Sequence, residues 1–73
     1  MREGDRYEHL VYWSDEEQCY IGQCPELMGG GVHGDDPEEV FRHLRQVVDE
    51  WVTLCKHGGI ALPEPKHAYA SRV

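Results

Sequence analysis

The chain has 73 residues, enough for one domain, and at this length folding buries only about 60% of the surface that the unfolded chain exposes. Fourteen Asp and Glu against seven Lys and Arg give a formal net charge of −7, which argues against a protein that wraps nucleic acid, because phosphate binding needs a basic face. Residues 1–39 hold eleven of the acids and two of the bases, so the imbalance points to a basic protein or cationic ligand as partner, or else to a plain solvated acidic surface. No apolar run is long enough to cross a membrane, and "MREGDRYEH" lacks the apolar core of a signal peptide, so a cytoplasmic location is expected. Cys19, Cys24 and Cys55, three thiols without a C-x-x-C pair, predict reduced cysteines rather than a disulfide framework.

In chain order, "RYEHLVYW" from Arg6 to Trp13 and "CYIGQC" from Cys19 to Cys24 are rich in aromatic and aliphatic residues that suit strands. The polar "SDEEQ" between them predicts a hairpin with a solvated acidic tip and antiparallel strands. Tyr7, Val11 and Trp13 share one face while Leu10 and Tyr12 share the other, so something is expected to cover each face. A homodimer or higher oligomer, touching through the face opposite the helix, would bury the surplus apolar surface of so small a core. Pro25 ends the second strand. "MGGGVHG" has little strand propensity, with only Val32 favouring extension.

A long amphipathic helix is the clearest element. Asp36 suits the N-cap, Pro37 the first helical position, and Glu39 a capping box three residues after the cap. Val40, Phe41, Leu44, Val47, Val48, Trp51, Val52 and Cys55 recur at the spacing of one helical face, and Gly58 and Gly59 stop the run. The "IALPEP" that follows is extended and limited by its prolines; a short fourth strand at the sheet edge can form there, and residues 66–73 read as a frayed tail.

"GGGVHG" satisfies G-x-G-x-x-G letter for letter. Asp35, Asp36, Glu38 and Glu39 nevertheless open the helix behind it, and these carboxylates occupy the positive end that a dinucleotide phosphate would need, so no nucleotide cofactor is expected. No metal is expected either: Cys19 and Cys24 point to opposite faces of one strand, and His9, His33, His43, His57 and His67 match no helical pair or zinc spacing. Ser14 and Ser71 lack a rigid turn and an adjacent base, and the carboxylates lie on loops and at the helix start. No enzyme is expected.

Taken in order, Pro25-Glu26-Leu27, then Gly34-Asp35 leading to Glu38-Glu39, then Trp51 and the closing Pro63-Glu64-Pro65 resemble the HicB-like antitoxin domain over about residues 7–65. That family usually has Pro-Gly-Cys where Met28 to Gly30 stand here, and Thr where Asp36 stands. The resemblance implies an α+β, partial ribonuclease H-like fold, three antiparallel strands with one helix across a face, without working metal-binding carboxylates. It implies that Gly29, Gly31 and Gly34 shape a strand-like segment and its turn, with Gly34 a candidate for positive φ. It also implies neutralisation of a HicA-type toxin, a small basic protein that degrades messenger RNA; the alternative is a homo-oligomeric regulatory or structural protein with no toxin partner. Asp15, Glu16 and Glu17 at the hairpin tip, with Asp35 and Asp36 before the helix, are the expected partner-facing residues. Only eight residues follow Pro65, so repression of its own operon by this chain is not expected.

Overall fold

The structure is a computed structural model and describes residues 3–64. Pro65, His67 and the tail expected over 66–73 lie outside the described residues. The fold is α+β, an antiparallel three-stranded sheet with one helix packed across one face. The strands are β1 (Leu10–Ser14), β2 (Cys19–Gln23) and β3 (Gly31–Gly34), in the order β1-β2-β3, and the helix is α1 (Pro37–His57).

Local chemistry sets the two ends of α1. The Asp36 side chain accepts the Glu38 backbone N–H at 3.0 Å, satisfying one of the orphan donors of the first turn, and Pro37 follows where no N–H is needed. At the other end Gly59 takes φ of 71°, the Gly59 N–H donates to Lys56 O and the Ile60 N–H to Cys55 O at 2.8 Å. This is a Schellman cap, and it needs the one residue type that enters the left-handed region freely.

Val40, Leu44, Val48, Val52 and Cys55 form the buried stripe of α1. The four aliphatic members meet Tyr7, Cys24, Leu27 and Val32 in one core, each large aliphatic side chain stabilising the fold by about 1.5–3 kcal/mol through its burial. The register places Val11, Gly22 and Val32 side by side beneath the helix. A Cβ at Gly22 would lie 2.9 Å from Val40 Cγ1 and 3.0 Å from Val32 Cγ2, so this glycine is what lets the helix sit down on the central strand.

Several expectations are corrected. The first strand begins at Leu10, not Arg6: Glu3–Arg6 form a 3-10 turn, and Tyr7 folds under the helix with its hydroxyl donating to Pro63 O at 2.6 Å. The turn is tied to α1 by a bidentate pair, Arg45 to the buried Asp5 at 2.8 and 3.2 Å, and by Lys56 to Glu3. Gly34 does not adopt positive φ, which among the described residues belongs to Gly59 and Gln18. Its requirement is one of space, since a Cβ there would sit 3.1 Å from Val40 Cγ2. Trp51 leaves the core stripe and is 40% exposed. Residues 60–64 carry no strand, although Leu62 packs against the core. The face of the sheet opposite α1 is open among the described residues, with Leu10 and Tyr12 exposed on it.

Candidate partner-binding site

Asp15, Glu16 and Glu17 lie between β1 and β2, and Asp35 and Asp36 follow β3, eighteen or more positions later in the sequence. The register closes that distance. Tyr20, the second residue of β2, pairs with Gly34, the last of β3, so the chain leaves β3 at the same end of the sheet as the hairpin tip. Adjacent strands lie about 4.8 Å apart, which makes the tip and the start of α1 neighbours. Glu38 and Glu39 in the first turn of α1 join them. The five residues singled out from the sequence, all exposed, therefore form one acidic end of the molecule.

The individual side chains differ in what they do. Trp13 Nε1–H donates to Asp15 Oδ1 at 2.7 Å, and Trp13 stacks edge-on against Tyr20 with centroids 5.1 Å apart, so Asp15 is held against the aromatic pair. Ser14 Oγ accepts the Glu17 N–H, and Gln18 closes the turn by donating its backbone N–H to Ser14 O and its amide to Asp15 O. Gln18 holds φ of 56°, a left-handed conformation that the turn imposes on a residue with a Cβ. Asp36 is engaged in capping α1. The side chains of Glu16, Glu17 and Asp35 are exposed and take no part in the hydrogen bonds just described. The anchoring of Asp15 was legible in principle as an aromatic donor two residues before a carboxylate; the left-handed Gln18 carries no such signal.

Beside the acidic end, β3 and α1 enclose a cleft of about 390 Å³ lined by His33, Asp35, Glu39, Arg42 and His43 among others. Its lining mixes cations, anions and imidazoles and contains no Ser, Thr or Cys that could act as a nucleophile. Among the described residues no three His, Cys, Asp or Glu side chains are placed to share a metal ion.

Two groups of displaced acidity lie at the far end of the molecule. Burial pushes the Cys24 thiol up to about 11, helped by the charge of Glu26 and opposed by the Leu27 N–H that bonds it. Burial also raises Tyr7 above the usual phenol value. Cys24 is thus a core thiol held neutral and unreactive. His9, packed beside Phe41, is buried with its Nδ1–H donating to Tyr7 O at 2.8 Å, which fixes the tautomer because a carbonyl can only accept.

The chain matches no protein-family model, no curated protein and no solved structure. No helix among the described residues is long and apolar enough to cross a membrane.

Proposed function

We propose that this chain is an antitoxin-like binding protein of the HicB-like kind, which neutralises a small basic HicA-type toxin by covering its RNA-cleaving site. The observation that carries the reading is the gathering of Asp15, Glu16, Glu17, Asp35 and Asp36 at one end of the sheet by the Tyr20–Gly34 pairing. A basic partner is steered to such an end, while affinity rests on apolar contact, which the exposed Leu10 and Tyr12 on the open face of the sheet supply. The finer fold reading, partial ribonuclease H-like, belongs to the same proposal and is supported by the order of three antiparallel strands and a helix. On this reading the protein works in the cytoplasm by binding alone, with no cofactor, no metal and no nucleic-acid contact of its own.

The test is association with the basic toxin encoded beside it, followed by stopped-flow mixing at several salt concentrations. Glu16→Lys, Glu17→Lys and Asp35→Lys together should slow association and flatten its salt dependence with an unchanged circular dichroism spectrum; Asp15 and Asp36 are left alone because they hold Trp13 and the helix start. Unchanged kinetics would place the contact elsewhere. Growth arrest by the toxin that the unmodified protein fails to relieve would remove the antitoxin reading. The second reading, a self-associating regulatory or structural protein without a toxin, is favoured by the absence of any charged residue in the three strands.

A further inference from the structure

β1 is an edge of the sheet, and among the described residues no strand lies beyond it. Edge strands are ordinarily guarded by a charge, a proline, a bulge or shortness, because their free N–H and C=O groups recruit other strands. β1 has none of these guards: it reads Leu-Val-Tyr-Trp-Ser, with Leu10 37%, Tyr12 45% and Trp13 47% exposed. The opposite edge, β3, is four residues long and begins and ends in glycine. Half of the exposed large apolar side chains among the described residues therefore sit on one unguarded five-residue edge.

Charge identifies what pairs with that edge. The chain is 29% charged and carries −7 overall, so two copies repel through their acidic ends and can meet only where those ends are kept apart, and the strands, free of carboxylates, are such a place. In an antiparallel pairing of β1 with its own copy centred on Tyr12, position 15 of one chain lies opposite position 9 of the other. The two acidic tips then fall about 20 Å apart along the strands, six residues at about 3.4 Å each, well beyond the screening length of about 8 Å at physiological salt.

The same register provides a fit. Trp13 of one copy comes opposite Val11 of the other, on the helix side of the sheet. There β1 and α1 leave a cleft of about 530 Å³ lined by Val11, Pro37, Phe41 and the side chains of Glu38, Arg42 and Arg45. An indole 47% exposed and an apolar-floored cleft thus lie two residues apart on a strand whose two-fold pairing brings them together once the indole turns from Tyr20 toward the other copy.

We propose that β1 pairs antiparallel with β1 of a second copy about a two-fold axis at Tyr12, joining the two sheets into one of six strands and seating each Trp13 in the cleft between β1 and α1 of the other copy. The inference does not depend on the toxin reading, because it concerns the chain alone. The open outer faces, with Leu10, Tyr12 and Ile21, become one continuous surface in this assembly.

Sedimentation equilibrium over a concentration series should give twice the chain mass of 8.4 kDa. Trp13→Ala should weaken the dimer about 30-fold, the loss typical of a buried aromatic anchor. Because that change also removes the bond to Asp15, the decisive variant is Tyr12→Cys in a Cys19→Ser background. Mild oxidation should link it to its own copy, since the axis brings its Cα within disulfide reach, whereas Ile21→Cys in the same background should stay unlinked with its copy about 14 Å away, three strand spacings. A single-chain mass at every concentration overturns the proposal, including the case in which the edge serves a strand of another protein. Linkage through Ile21→Cys but not Tyr12→Cys also overturns it, because the outer faces and not the edges would then meet.

Discussion

Raising the pH from 9 to 11 should destabilise the fold through Cys24. The thiol is fully buried in the core, and its ionisation is pushed from the ordinary 9.0 up to about 11. Between those values the unfolded chain gives up the proton while the folded chain keeps it, so each pH unit favours unfolding by about 1.4 kcal/mol. Below pH 9 both states hold the proton and Cys24 contributes no slope. From pH 9 to 11 the loss integrates to about 1.9 kcal/mol, a large share of the roughly 4–11 kcal/mol expected for a domain of this size. Tyr7, raised by the same burial, adds its own loss above pH 10. Urea denaturation at pH 7, 8, 9 and 10 measures the effect, with Cys24→Ala as the comparison. The variant starts from lower stability because of the cavity it leaves, but its curve should be flat from pH 9 to 10 where the parent falls. An equal fall in both would refute the assignment and place the alkaline lability in another group.

Three further outcomes follow from the packing. Gly22→Ala should cost about 1–3 kcal/mol in urea denaturation, because its Cβ would lie within 3.0 Å of both Val40 and Val32 and lift the helix from the sheet. Arg45→Met should cost about 1.5–3 kcal/mol in urea denaturation by removing the bidentate partner of buried Asp5. With an aromatic disulfide reagent near pH 8, one thiol per native chain should react fast, the half-exposed Cys19, while Cys24 and Cys55 should react only at the rate of opening.

What the amino-acid order determined by itself is local. The helix was legible because its signals act within a few residues: Asp36 and Pro37 at the start, a 3.6-residue apolar repeat, and a glycine able to close a Schellman cap. The hairpin was legible for the same reason, with five polar residues between two apolar runs. Periodicity, however, names a face and not the width of what covers it. Trp51 belongs to the apolar stripe by spacing yet stays 40% exposed, because the buried stripe in the folded chain follows Val48, Val52 and Cys55 instead. The 3-10 turn over Glu3–Arg6 was missed because its partner, Arg45, is forty residues away and no pattern near Asp5 announces it. The need for glycine at position 22 likewise comes from a helix that meets the strand only in the folded chain. The acidic composition was plain from the start, but it became one end of a molecule only through strand register, since a hydrogen-bonded ladder brings together positions that the chain separates.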